Sequence, residues 1–252
     1  HIKQKNMNKS VIIIPSRLEA KRLPNKPLLK INNMPMIIHV MERARESKIG
    51  DVVVATPDQK ILDLVEQKSG KAILTSKDHS TGTDRVYEAL EKISDDSINI
   101  IINLQGDMPN LDPNNIKNLD YLMRKNKYDI GTLASKIQNA KELQNTNIVK
   151  VETLENLDYS NFIKAKDFFR KTINTNKENI YHHIGIYAFS KNTLSKFVKL
   201  SRTKNEIERK LEQIRALDNN IEIRVALSKS FPLGIDTEED FLLIKKSMEY
   251  KG

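Results

Sequence analysis

The chain has no cysteine and no tryptophan, and aromatic residues make up only 6% of its 252 residues. Without cysteine there is no disulfide scaffold, no thiolate zinc site, no iron–sulfur cluster and no cysteine nucleophile. The absence fits a reducing compartment such as the cytoplasm. Long apolar runs are missing as well: nothing approaches the roughly 18 apolar residues that a membrane-spanning helix needs. No repeat, linker or low-complexity segment divides the sequence. Acidic residues are outnumbered by basic ones, 33 to 42, which leaves a net charge of +9. Such a balance draws nucleic acid, acidic lipid or small anions to a surface. Nucleic acid is disfavoured as a partner because Lys and Arg are spread along the whole chain instead of clustering with aromatics.

What remains is a chain able to bury a core, with 38% hydrophobic and 30% charged residues. Residues 1–10 are polar and lack the apolar core of a signal peptide. They read as a disordered N-terminal extension in which Met7 is the native start, leaving 11–252 as a single domain. Val11–Ile14 is a β-branched apolar run before Pro15 and reads as a buried strand. A proline-rich loop follows, and Pro35 opens a helix with Ile37, Ile38, Met41 and Ala44 on one face. Val52–Ala55, Ala72–Leu74 and Ile98–Leu104 read as further strands. Helices between and after them are predicted from Thr56-Pro57, from the stripe Val86, Leu90, Ile93, and from Asp112-Pro113 with Ile116, Leu119 and Met123 inward. Alternating strands and helices with short loops predict an α/β fold: a mostly parallel mixed sheet flanked by helices. Residues 129–190 read as several strands, including 148–151 and 184–189. A helix over about 205–217 with an Asn205–Glu208 cap, a strand at Ile221–Leu227 and a last helix capped by Thr237 and Asp240 complete the pattern.

In such sheets ligands bind beyond the carboxyl ends of the strands, so the loops after Ile14, Leu74 and Leu104 are the places to search. The first carries Arg17, Lys21, Arg22, Lys26 and, just beyond, Lys30. It reads either as a polyphosphate cradle or as a solvated basic face, and it is not a Walker A loop. The second, Ser80-Thr81-Gly82-Thr83-Asp84-Arg85, opens a helix with small residues that permit close backbone approach; ordinary capping by Thr81 or Thr83 is the plainer reading. The third, Asn103-Leu104-Gln105-Gly106-Asp107-Met108-Pro109, puts a carboxylate at a strand end. Asp107 is placed either to hold Mg²⁺ with help from substrate phosphates or to bond its own turn. Asp236 offers a second carboxylate far away in sequence. Adjacent His182 and His183 point to opposite faces of a strand and do not share a metal; His79 reads as a bland loop residue. Glu208, Glu212 and Arg215 read as a salt-bridged polar face opposite Ile207, Leu211 and Ile214.

Taken in order, six segments resemble the 3-deoxy-manno-octulosonate cytidylyltransferase (CMP-Kdo synthetase) family. They are Ile14-Pro15-Ser16-Arg17 with Arg22-Leu23-Pro24-Asn25-Lys26-Pro27-Leu28, Ser80–Arg85, Asn103–Pro109, His183-Ile184-Gly185-Ile186-Tyr187, Leu211–Leu217 and Gly234–Asp240. The resemblance runs over nearly the whole chain, from about Val11 to Phe241. It implies a Rossmann-like fold of the nucleotide-diphosphosugar-transferase type. The implied enzyme is a cytoplasmic, Mg²⁺-dependent homodimer that joins CTP to the sugar acid Kdo for lipopolysaccharide synthesis, releasing pyrophosphate. It implies CTP contacts at Pro15, Ser16, Arg17, Arg22, Lys26, Thr81, Gly82, Thr83, Arg85, Gln105 and Asp107, with Arg17, Lys26, Asp107 and Asp236 catalytic. Asp107 and Asp236 would hold the metal, and Gln105, His183, Tyr187, Glu212 and Gln213 would line the sugar site. The chain departs from the family at Met108, where Glu or Gln is common, and at Tyr159-Ser160-Asn161-Phe162, where the common Tyr-Phe-Ser-Arg has an arginine. The second departure bears on the acceptor or the dimer contact. It keeps an 8-amino or sialic-acid-like acceptor open; a silent nucleotide-binding relative is a separate rival, against which Lys26, Asp107 and Asp236 argue.

Overall fold

A computed structural model describes residues 8–172, 178–231 and 233–250. The chain divides into two compact units, one built from 1–117 with 232–252 and the other from 118–231. Among the described residues no helix is long and apolar enough to cross a membrane.

The first unit alternates strand and helix. Its elements are β1 (Lys9–Pro15), β2 (Lys30–Ile31), β3 (Met34–Pro35), α1 (Met36–Glu46), β4 (Gly50–Thr56), α2 (Gln59–Gln67), β5 (Lys71–Leu74), α3 (Gly82–Ile93) and β6 (Ile98–Leu104), with α4 (Pro113–Asn126) crossing the boundary between units. The strand order is β5-β4-β1-β6 with every pair parallel. Val11–Ile14 are fully buried, which is why that strand is a continuous apolar run: a parallel strand with both faces covered has no solvent side. β1 starts earlier than its apolar run, because Ser10 is buried and pairs with Gly50. Ile37, Ile38, Met41 and Ala44 are all buried, as the α1 periodicity requires. The helix after β4 begins at Gln59, not at Pro57: Asp58 takes the N-cap position, and Thr56 Oγ1 accepts the Asp58 amide instead of capping.

The second unit holds β7 (Ile130–Ser135), α5 (Ala140–Gln144), β8 (Lys150–Thr153), β9 (Ile163–Phe169), β10 (Ile180–Ser190), α6 (Lys191–Lys199), α7 (Lys204–Arg209), α8 (Ile214–Asp218) and β11 (Ile223–Leu227). Here β7 and β11 are parallel, while β10–β7, β10–β8, β11–β9 and β8–β9 are antiparallel. The fold is α/β with helices around a mixed sheet, and the parallel share lies mainly in the first unit. The final helix α9 (Glu238–Glu249) belongs to the first unit and carries the expected capping box between Thr237 and Asp240.

The predicted helix over 205–217 is two short helices. Lys210 adopts a left-handed backbone (φ 55°), which ends α7. The cap is Thr203 with Glu206, not Asn205 with Glu208. Ile207 is 52% exposed and Arg215 is buried, so the polar and apolar faces drawn for one continuous helix do not hold across the break.

Candidate active site

The loops after β1, β5 and β6 converge within the first unit on a cleft of about 290 Å³. Pro15, Ser16, Arg17, Lys26, Thr81, Gly82, Arg85, Gln105 and Asp107 line it, joined by His79 and Ser80. Arg22 and Thr83 are outside this lining. Arg22 is exposed on the same loop, and Thr83 is buried, its Oγ1 accepting from Asn103 Nδ2 at 3.3 Å.

Each wall has a local cause. After β1, Asn25 takes a left-handed conformation and Pro27 buries itself, so Lys26 begins a single 3₁₀ turn. Lys26 Nζ donates to Ile235 O at 2.9 Å. The Leu18 amide donates to Asp58 Oδ2 at 2.9 Å, fixing the start of the same loop from α2. At the second wall Thr81 caps α3, its hydroxyl accepting from the Asp84 amide at 3.2 Å. A twelve-residue helix therefore begins at the cleft with its positive end and free amides, a setting that favours an anion. Arg85 Nη1 donates to Thr75 Oγ1 at 2.6 Å and Ser76 O at 2.7 Å. Burial and then the neighbouring Arg17 guanidinium depress the Arg85 pKa. Two cations lining one cleft suit an anionic ligand. Ser16 Oγ is buried and has no hydrogen-bond partner among the described residues, as expected of a group kept for a ligand.

The third wall carries the carboxylates. Burial pushes the Asp107 carboxyl up to about 6; Lys26 pulls it back, while Asp236 and Asp240 raise it again. The Ile235 amide donates to Asp107 O at 2.9 Å, which brings Asp236 into this neighbourhood. Two distant acids are thus gathered in one electrostatic site. Among the described residues no cluster of three or more metal-binding side chains forms. A pair of oxygen donors beside an anion cradle fits Mg²⁺, which keeps several waters and binds through one or two carboxylates plus phosphates. Met108 is buried and does not line the cleft, so the departure beside Asp107 is a packing residue.

Sequence reasoning missed His79. It lines the cleft, with Nε2 2.7 Å from Glu88 Oε1. Its only signal was its place in a loop after a strand.

The expected acceptor residues, apart from Gln105, lie in the second unit. His183 and Tyr187 share one face of β10, their ring centroids 5.2 Å apart, and Phe168 stands edge-on to His183 at 5.2 Å. Burial and then His182 lower the His183 pKa to about 3, so the ring is neutral. Thr132 Oγ1 donates to Ile186 O at 2.6 Å and lies 2.9 Å from His183 Nε2. Nε2 therefore carries the proton, which leaves Nδ1 as an acceptor. The Tyr187 hydroxyl is buried with no hydrogen-bond partner among the described residues, and burial and then Glu212 raise its pKa. Gln213 is the N-cap residue of α8. His182 turns the other way, onto Glu142 at 2.5 Å, consistent with strand alternation. Phe162 is a core residue: it packs edge-on to Tyr128, and a Cβ on Gly131 would lie 2.7 Å from its ring.

A family model described as cytidylyltransferase matches residues 11–223. A 3-deoxy-manno-octulosonate cytidylyltransferase of Brucella canis is 40% identical over 92% of this chain and 92% of its own. The chain belongs to the 3-deoxy-manno-octulosonate cytidylyltransferase family. A member from Afipia carboxidovorans is 41% identical over 92% of this chain and 93% of its own. The solved structure of a CMP:2-keto-3-deoxy-manno-octonic acid synthetase complexed with CTP is 34% identical and superposes with a TM-score of 0.87, covering 97% of this chain and 100% of that one. The family's nucleotidyltransferase fold and enzymatic class are those of this chain.

Proposed function

We propose that the protein transfers the cytidylyl group of CTP to 3-deoxy-manno-octulosonate. The anomeric hydroxyl oxygen bonds to the α-phosphorus, the bond from that phosphorus to the β-phosphate oxygen breaks, pyrophosphate leaves and the hydroxyl proton is released. Such a transfer needs positioning and charge neutralisation more than a protein nucleophile, so the absence of cysteine costs it nothing. The observation that carries the reading is 40% identity to a Kdo cytidylyltransferase along nearly its full length.

Within this reading Arg17, Lys26 and the start of α3 hold the triphosphate, Arg85 adds positive charge, and Ser16 offers its unpaired hydroxyl to the nucleoside. Arg22 approaches the phosphates from the rim. Asp107 and Asp236 would hold Mg²⁺, and the ion would supply positive charge to the phosphates and acidify a hydroxyl bound beside it. Gln105, oriented by its 3.3 Å contact to Asn103 Oδ1, faces nucleotide or acceptor. His183 accepts an acceptor hydroxyl at Nδ1, Tyr187 donates its phenol proton, and Glu212 and Gln213 complete the polar set. The working enzyme is a cytoplasmic homodimer that supplies activated sugar for lipopolysaccharide assembly.

The test is pyrophosphate release with Mg²⁺, crossing CTP, UTP, GTP and ATP against Kdo, its 8-amino analogue and a sialic acid. Turnover confined to CTP with Kdo is the expected result. Turnover of CTP with another acid alone replaces the acceptor. A folded protein that binds CTP and turns over no pair overturns the assignment.

A further inference from the structure

Between α7 and α8 the chain reverses, and the residues on either side of the reversal are joined by a buried ion pair. Glu206 and Arg215 are 2% and 3% exposed. Arg215 Nε donates to Glu206 Oε1 at 2.9 Å and Nη2 to Oε2 at 2.6 Å, a fork on both carboxylate oxygens. Glu206 Oε1 also accepts the Thr203 amide at 2.9 Å, and the Arg215 guanidinium lies 4.8 Å from the centre of the Phe197 ring. Hydrogen bonding and stacking thus fix both partners.

Between α7 and α8 lie only Lys210 to Gln213. The Leu211 amide bonds back to Glu206 O at 3.2 Å. The Arg215 and Ala216 amides bond to Glu212 O at 3.0 Å and Gln213 O at 3.1 Å. Glu212 and Gln213 therefore sit at the apex of a short loop closed at its base by the ion pair. The flanking helices have six and five residues, too few to hold shape by themselves. A buried ion pair contributes little net stability against an apolar substitute; its better-attested use is to fix one arrangement of the chain.

We propose that Glu206 and Arg215 are positioning residues whose ion pair fixes the turn presenting Glu212 and Gln213, and through it the contacts to the acceptor sugar. The catalytic part of this proposal rests on the acceptor role given above to Glu212 and Gln213. The clamp itself does not.

Arg215→Lys keeps the charge and removes the fork, and Glu206→Gln keeps the shape and removes the charge. Two readouts separate the clamp from its consequence. Amide hydrogen exchange over residues 210–217, referenced to β7, reports the turn. Steady-state kinetics with CTP and sugar acid varied separately report the acceptor. In Arg215→Lys, exchange over 210–217 quickens about 10-fold or more while β7 is unchanged. The KM for CTP holds, and kcat/KM for the sugar acid falls about 10- to 100-fold. Unchanged exchange in a folded variant overturns the clamp. Faster exchange with unchanged sugar kinetics overturns the link to the acceptor. Losses shared equally by CTP and sugar, in step with the folded fraction, mark a merely structural role and overturn it too. Should Arg215→Lys fail to fold, Glu206→Gln is read the same way. A wild-type enzyme that accepts no sugar acid refutes the proposed function instead, and exchange then decides the clamp.

Discussion

The backbone amide of Ile235 donates to the backbone carbonyl of Asp107 at 2.9 Å. That bond ties the segment before α9 to the end of β6. It leaves so little room that a Cβ on Gly234 would lie 3.2 Å from Asp107 Oδ2. Gly234→Ala is therefore expected to push the carboxylate aside rather than unfold the chain. Activity should fall about 10-fold or more from a misplacement of a few tenths of an ångström. Stability should move by less than about 1 kcal/mol. Pyrophosphate release beside a thermal melt checks both, and an alanine variant with full activity refutes the close packing.

Asp107→Asn and Asp236→Asn remove one carboxylate each from a pair whose members repel. If Asp107 and Asp236 hold the metal as proposed, each substitution should lower kcat by about 100-fold or more, because the transferring phosphates would lose a counter-ion. Neither should cost stability, since each half-buried carboxylate sits beside the other acid and is replaced by a neutral isostere. Calorimetric titration of Mg²⁺ in the presence of CTP should show weaker metal binding in both. Unchanged metal affinity would overturn the proposal that these residues hold the metal.

Glu88 organises the loop that supplies His79 and Ser80. Burial works to raise its pKa, but the Ser76 amide, Lys92 and His79 hold it down to about 2. A depressed carboxyl contributes stability that is full above its unfolded value, near 4.5, and is lost as pH falls toward about 2. Glu88→Gln should cost about 1–3 kcal/mol at pH 7 by this linkage. The gap to wild type should close as pH falls through that window. Denaturant melts at pH 7 and pH 3 check it; a gap that stays constant with pH assigns the loss to packing.

The first unit was legible because its signals are local. Buried parallel strands declare themselves as apolar runs, and the Thr81 and Thr237 caps lie next to the helices they start. The cleft was legible as three loops at strand ends. Four features were not. Lys210 breaks a helix in a left-handed conformation with no glycine or asparagine to announce it. Glu206 and Arg215 pair across that break at a spacing no single helix makes adjacent. Asp58 fixes the Leu18 loop from 40 residues away. His79 has a role only through Glu88, on the next helix. In each case the partner is chosen by tertiary structure.

His183 offers a prediction with two independent readouts. Its folded pKa is about 3 against an ordinary 6.5, so unfolding at mildly acid pH takes up a proton. Stability from this source is full above about 6.5 and is lost as pH falls toward about 3. A His183→Gln variant should have a flatter acid limb, its stability relative to wild type improving as pH drops from 7 to 4. Glutamine can still meet Thr132 Oγ1 but alters the surface beside Tyr187 and Phe168. Hence kcat/KM for the sugar acid should fall about 10-fold or more while the KM for CTP holds. Acid melts test the first claim and steady-state kinetics the second. A variant with wild-type sugar kinetics but a flattened acid limb would leave His183 a core residue and remove it from the acceptor set.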